Sequence, residues 1–454
     1  MNRFGGGIMK RFLITLFSIM FISILFAPAT FAAEEGVIDT GDTTWIIVAM
    51  GLVLFMHVPG LALFYGGLVS ERNVVSTLMH SFVSLIIVSI VWVLWGYTLS
   101  YGASLGGFIG GLDYLGMKGV DGAAYDGLTI PHYLFAALQI VYVAITVAII
   151  SGGISGRISF KAWIPFCVLW PTIVYAPMAH AVWGGGWLAQ MGELDFAGGT
   201  VVHITSGVAA LVAALIIGPR RRRNGEKPHN IVFFLFGAAT LWFGWFGFNG
   251  GSALASGSLA SLVILNTHVA GAAGGLGWLV IEWALTKRPT LVGTATGAIA
   301  GLVAITPGSG FVTIPSALII GFLGAPVAYF SIKFIKAKLK YDDTLDAFGV
   351  HGMAGIWGAV ATGLFATTSV NEAGADGLFY GNPEQILHQL TGVGVSIALT
   401  VVGTYVVLKI ISIFTPLRVS EEEEITGLDI STHNEPAYNK YADDEEIAPS
   451  FMKS

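Results

Sequence analysis

"DFAGGTVVHITSG", residues 195–207, opens an apolar stretch with an aspartate and carries a histidine, His203, inside it. A second stretch, "DAFGVHGMAG" at 346–355, has the same order: an aspartate, small residues, then His351. A titratable ring inside a long apolar run is costly wherever its charged form is desolvated. Two such runs that echo one another decide how the whole chain is read.

The chain has 454 residues, 54% hydrophobic and 11% charged, where soluble domains carry about 25% charged residues. Long uncharged stretches recur along it, the mark of a polytopic membrane protein. Eleven spans of roughly 20 apolar residues are expected, at about 44–68, 77–99, 131–156, 161–181, 197–218, 230–249, 256–285, 291–306, 314–337, 347–367 and 387–414. The formal net charge of −6 reflects the acidic tail from Glu421 onward, and no nucleic-acid partner is expected. Cys167 is the only cysteine, so no intrachain disulfide is possible. The 60 glycines suit close helix packing in a bilayer.

The connecting segments test this reading independently. Taken alternately, one set holds Arg72, Arg157, Lys161, Arg220, Arg221, Arg222, Arg223, Lys227, Lys287, Arg288, Lys333, Lys336, Lys338 and Lys340; the other holds Lys118 alone. Basic loops stay in the cytoplasm. The mature N-terminus is therefore expected outside and the C-terminus in the cytoplasm, in a cell (inner) membrane. The fifth and tenth spans, which carry the echo, then enter from opposite faces. That implies two inverted five-helix halves, about 44–218 and 230–367, followed by an eleventh helix at about 387–414. Transporters built so place their site between the halves near the midplane.

Both ends differ from this domain, which spans 33–417. Arg3, Lys10 and Arg11 precede the apolar "FLITLFSIMFISILF", and "APATFAAEE" supplies small residues for cleavage near Ala29 or Ala32. Residues 1–32 are thus expected to be a signal peptide; a retained helix would leave everything downstream unchanged. The tail, 418–454, is polar and acidic, either a solvated cytoplasmic charge run or a docking element.

A lone buried histidine is more often a packing residue. Two at related places in an inverted echo point instead to a pathway. Neutral imidazoles can pair, one donating and one accepting, and so pass a proton or contact a small polar solute. At 1.5 Å per residue, His203 lies roughly 12 Å from Asp195 and His351 roughly 7.5 Å from Asp346. Helices entering a core about 30 Å thick from opposite faces bring these rings together only if one starts below the surface. Asp195 and Asp346 read as N-caps for orphan amides, with a bias toward cations at an outer mouth as a second effect. Trp183, in "AHAVWGGGWLAQ", is an interfacial anchor or a cation–π wall. Phe248 and Ser252 end the sixth span. There is no phosphate-binding loop, and no carboxylate or thiol completes a zinc set with the histidines, so no metal and no cofactor is expected.

"FYGGLVSERNVVS", "MAHAVWGGGWLA", "DFAGGTVVHITSG", "KPHN", "GWFGFNGGSALA", "GAIAGLVAITPGSGFV", "DAFGVHGMAGIWG" and "GLDISTH" together resemble the ammonium transporter family (Amt/Mep/Rh), in family order from about residue 42 to 438. The resemblance implies a homotrimer of eleven-helix protomers, each with a narrow hydrophobic pore. It implies that His203 and His351 are the family's twin pore histidines. It implies ammonium recruitment by Trp183, Ser252 and Tyr142, a gate of Tyr142 over Phe248, and a family aspartate at Asp195. It also implies that the tail contacts neighbouring protomers and that PII-type regulatory proteins close the pore from inside. Three positions depart from the family pattern: Tyr142 stands where phenylalanine is usual, Gly156 where glutamate is frequent, and Leu138 where an outer-site phenylalanine is frequent. A phenol adds a hydroxyl that needs a partner.

Moving an ammonium-like ion into a dry interior costs on the order of 20 kcal/mol in the ideal Born limit, and several after relaxation. A desolvated cation–π contact returns about 2 kcal/mol. Ammonium is therefore expected to lose a proton at the gate and cross as ammonia, with the histidines relaying the proton. An ammonium sensor of low flux and an electroneutral ammonia or carbon dioxide channel are the alternatives.

Overall fold

Backbone groups left unpaired in hydrocarbon are expensive, so apolar stretches of this length close their hydrogen bonds within helices. The computed structural model describes residues 36–221 and 227–438. Its principal helices are α1 (Thr40–Leu68), α2 (Val74–Tyr101), α3 (His132–Ile154), α4 (Phe160–Met191), α5 (Gly199–Ile217), α6 (Ile231–Gly251), α7 (Ser258–Thr286), α8 (Leu291–Ile305), α9 (Ile314–Leu339), α10 (Phe348–Phe365) and α11 (Glu384–Ser412). Among the described residues ten of these are long and apolar enough to cross a membrane. The exception is α8, a 15-residue apolar helix that stops where "TPGSG", residues 306–310, introduces a proline and two glycines. Boundaries fall within a few residues of those expected, except in α4. There "WGGGW", residues 183–187, breaks the helix, and a short turn, Trp187–Met191, prolongs it. Residues 1–32, expected to be a signal peptide, lie outside the described residues, as does the tail beyond residue 438.

The chain is an all-α polytopic membrane protein whose two halves share one packing scheme. In the first, α2 packs on α3 and α4, and α3 on α5; in the second, α7 packs on α8 and α9, and α8 on α10. The equivalent helices α1 and α6 pack on each other, as do α5 and α10, while α11 lies against α4, α5 and α10. The inversion is visible in one ion pair. Arg220, just past the end of α5, holds Asp342, just before the start of α10, at 2.9 Å. One helix therefore ends at the end of the bundle where the other begins.

That end gathers the basic connecting segments and the tail. Arg157, fully buried, donates to the carbonyls of Gly218 and Gly153, to Thr344 Oγ1 and to the carbonyl of Asp342. After Arg418 the chain forms two short helices, α12 (Glu421–Thr426) and α13 (Leu428–His433). Glu424 accepts from the Arg418 guanidinium at 2.6 Å and from the Arg221 amide at 2.7 Å. The Asp429 carboxylate accepts from the amides of Val74 and Ser76 at 3.0 and 2.9 Å, which caps the start of α2. As far as residue 438 the tail is packed against the bundle through these contacts.

α5 and α10 cross where no side chain intervenes. A Cβ on Gly207 would lie 2.2 Å from the amide nitrogen of Gly352, so only glycine permits this approach. Their backbone contact sets the distance between the two histidine-bearing turns. Gly207→Val should separate them, lowering stability by about 1–3 kcal/mol as overpacking does. A lowered melting midpoint in detergent together with lost transport checks this; a variant that melts and transports like wild type contradicts it.

Candidate functional site

Both histidine-bearing helices start inside the protein. Residues 195 to 200 and 345 to 351 are buried or partly buried within the protein. A buried helix start leaves amide groups without partners. At α5 the Asp195 carboxylate supplies them. Oδ1 accepts from the amides of Gly198 and Gly199 at 2.8 and 2.6 Å. Oδ2 accepts from the Thr200 and Val201 amides at 2.8 and 3.1 Å and from Thr200 Oγ1 at 2.5 Å. With both oxygens occupied, Asp195 is a cap. Gly198, at φ 115°, lets the chain turn into the helix where a Cβ would strike Val202 at 2.6 Å. The first turn is wide: the amide of His203 donates five residues back to Gly198 O at 2.9 Å. The first turn of α10, Phe348–Met353, has the same π form and carries His351. Such turns recur at functional sites because they re-aim one side chain.

The cap of α10 corrects the sequence reading. Asp346 does not cap it and does not stand at the Trp183 mouth. It lies at the opposite, basic-loop end, where its Oδ1 accepts from Lys336 Nζ at 2.5 Å. The cap is Asp343, whose oxygens accept from the amides of Ala347 and Phe348 at 3.1 and 2.7 Å. The signal was present in the sequence: His203 − Asp195 and His351 − Asp343 are both 8 residues. Matching the aspartates by their distance to the following "FG" and "FAGG" hid it.

Five rings form a column from one end of the bundle inward. Trp183 is half-buried at the mouth, its Nε1 donating to Asp195 O at 2.8 Å. Its ring centroid is 6.5 Å from Tyr142, and Tyr142 is 4.7 Å from Phe248. Phe248 is 5.9 Å from His203, and His203 lies 5.4 Å from His351 at an interplanar angle of 26°. The two Nδ1 atoms are 3.3 Å apart, which requires one protonated and one bare nitrogen. Trp245 stacks on His203 at 5.4 Å and is itself held by donation to Thr306 Oγ1 at 3.0 Å. Tyr142, Phe248, His203 and His351 are all buried. The half-buried Ser252 lies beside Tyr142, Oγ to Oη 3.1 Å, and Leu138, one turn before Tyr142 on α3, is buried. The structure thus brings together Trp183, Tyr142, Phe248, Ser252, His203 and His351.

Beyond Phe248 a cavity of about water-molecule size is lined by Met56, Leu61, Ile145, Ile149, Leu241 and Trp245 together with both histidines. His351 also borders a larger vestibule at the basic-loop end, with Tyr65, Asn73, Thr344 and Asp346. His203 Nε2 finds no partner among the described residues. The arrangement is a small apolar cavity with two imidazoles as its polar lining.

Two supports were missed by sequence reasoning. Gln389 of α11 clamps the loop before α5: Oε1 accepts from Leu194 N at 2.7 Å, and Nε2 donates to Leu194 O at 2.8 Å. Gln385, one turn earlier on the same face, donates to Gly192 O at 2.8 Å. Two glutamines four apart at the head of an apolar helix were the available signal. The other is Glu193, buried beneath α11, whose Oε1 lies 3.1 Å from Thr200 Oγ1.

The sequence pattern of the Ammonium Transporter Family matches residues 44–438. The Ammonium transporter of Bacillus subtilis (strain 168) is 52% identical over 400 residues, covering 88% of this chain and 98% of that one. Among solved structures, Saccharomyces cerevisiae Mep2 superposes with a TM-score of 0.79 at 37% identity, covering 85% of this chain and 88% of that one. A structure named Sensor Amt Protein gives 0.78 at 32% identity, with 86% and 98% covered.

Burial pushes the Glu193 carboxyl well above the usual carboxylate range; neighbouring Asp195 adds to this and Thr200 opposes it. The folded protein then keeps a proton that the unfolded chain releases above about pH 4.5, so stability falls as pH rises from there until the folded carboxyl ionises. Glu193→Gln keeps the shape without titrating. Its advantage in thermal stability over wild type should grow between about pH 5 and pH 8, by at most about 1.4 kcal/mol per unit. Melting curves in detergent check this, and a difference independent of pH contradicts it.

Proposed function

The chain belongs to the ammonium transporter family, and from that membership and the ring column we propose a mechanism in which it takes ammonium at the Trp183 mouth, strips one proton there and passes ammonia beside His203 and His351. It is a multi-pass membrane protein of a transporter family, not of an enzyme family, and ammonium transport is its function.

The observation that carries the mechanism is the imidazole pair, Nδ1 to Nδ1 3.3 Å, in a passage otherwise lined by aliphatic and aromatic side chains. An intact cation there meets a desolvation cost of several kcal/mol, and the Trp183 face returns about 2. Burial depresses an amine's pKa by up to about 3–5 units, so deprotonation at Tyr142 and Phe248 is the cheaper course. Ammonia offers a lone pair and three N–H groups to imidazoles that can each donate or accept. The same pair can carry the released proton separately, which makes net transport electrogenic. Asp195 acts on the passage through the α5 start it caps, and Trp183, Ser252 and Tyr142 form the recruitment site.

The mouth is proposed to face outside a cell (inner) membrane, with the basic loops and the tail in the cytoplasm, following the distribution of Arg and Lys along the chain. A homotrimer, and a PII-type protein acting at the cytoplasmic face, follow from the family resemblance. The docked tail, tied to α2 through Asp429, is placed to pass changes at that face to the bundle.

A second reading, a sensor of low flux, is favoured by the likeness to the structure named Sensor Amt Protein. Turnover separates the two readings, since the ring column serves both.

Solid-supported membrane recordings on proteoliposomes test the mechanism. Wild type should give an ammonium-triggered current, with potassium at least about a hundredfold less effective, because several kcal/mol of desolvation at 1.4 kcal/mol per decade cannot be relieved by losing a proton. His203→Ala and His351→Ala should each cut the current at least about tenfold. Unchanged currents in both variants remove the relay, and equal potassium current removes deprotonation at the gate. Truncation after Arg418 should alter ammonium current or its inhibition by a PII-type protein; if both survive intact, the tail has no regulatory part.

A further inference from the structure

We propose that the Tyr142 hydroxyl is a latch across the gate, a role that rests on the transport reading above. Tyr142 stands on α3; Phe248 and Ser252 lie at the end of α6. Tyr142 Oη donates to the carbonyl oxygen of Phe248 at 2.9 Å and lies 3.1 Å from Ser252 Oγ. Ser252 Oγ also donates to Phe248 O at 2.9 Å. Three oxygens from two helices therefore converge directly beside the two gate rings, which are tilted at 53° to one another, at the C-terminal end of α6, which is the negative end of its dipole.

A phenylalanine at this position would stack on Phe248 equally well and tie nothing. The serine would keep its bond within α6, and no hydrogen bond would join α3 to α6 at the gate. With tyrosine, the ring cannot swing from Phe248 without drawing a buried hydroxyl away from its acceptor, and an unsatisfied buried hydroxyl is costly. Opening is thus coupled to what replaces that bond. Ammonium presents four N–H donors in a tetrahedral array. It can donate to Phe248 O, Ser252 Oγ and the lone pair of Tyr142 Oη as the latch lets go. Methylammonium has three N–H donors, enough for the same three oxygens, with its methyl group turned away from them. The hydroxyl therefore slows the gate for both ions alike.

The test is Tyr142→Phe in proteoliposomes, with gel filtration and melting to establish that the variant folds as wild type does. The maximal ammonium current should rise about fivefold, about 1 kcal/mol at 1.4 kcal/mol per decade. The methylammonium current should rise in the same proportion, since its three N–H groups meet the same three oxygens. A folded variant with both quantities unchanged, or with a lower maximal current, overturns the latch. The outcomes also separate this inference from the reading beneath it. A wild type without current whose Tyr142→Phe variant conducts supports the latch while removing transport by the native protein; silence in both removes both.

Discussion

A helix that begins inside hydrocarbon exposes amide groups that neither water nor a preceding turn can satisfy. The passage depends on how this chain meets that cost. Asp195 closes the start of α5 with five donors, and Asp343 closes the start of α10 with two amides. Because both starts are satisfied where they lie, both can be buried, and both can carry a histidine on their first wide turn. The backbone contact of Gly207 with Gly352 then fixes how near the two turns come. Remove the caps and α5 and α10 would have to begin at the membrane surface, leaving His203 and His351 apart.

The chemistry proposed for the passage follows from the same low polarity that makes the caps necessary. An environment that charges heavily for an unpaired amide charges more for an unpaired cation. The column from Trp183 to His351 grades the surroundings from a half-buried indole, through two buried rings in contact, to a cavity with two imidazoles as its polar groups. An ion attracted at the first step has decreasing support at each later one, whereas a neutral base keeps hydrogen-bond partners throughout. The tyrosine in this column also adds a polar tie exactly once along its length, at the gate, where Phe248 O and Ser252 Oγ receive it.

The supports at the two ends differ in kind. At the mouth, neutral side chains hold the loop before α5, with Gln389 and Gln385 reaching in from α11. At the basic-loop end, charged groups do this work: Arg157, Arg220 with Asp342, Lys336 with Asp346, and the tail through Glu424 and Asp429. A bundle tied to its own C-terminal segment at only one end has an obvious place to feel what binds there.

The apolar periods, the alternation of basic loops and the echo around His203 and His351 were legible in the linear chain, because each is a local or statistical consequence of hydrocarbon as a solvent. They determined a polytopic helical protein in two inverted halves, and the motifs determined its family. The tertiary structure decided what depends on distance between elements. It showed that Asp343, and not Asp346, is the partner of Asp195. It showed that both histidine-bearing helices start among buried residues, that the tail folds back as far as residue 438, and that the extra hydroxyl of Tyr142 meets Ser252 and Phe248. No pattern along one segment reveals these, since each is a hydrogen bond or a close approach between residues brought together only by packing.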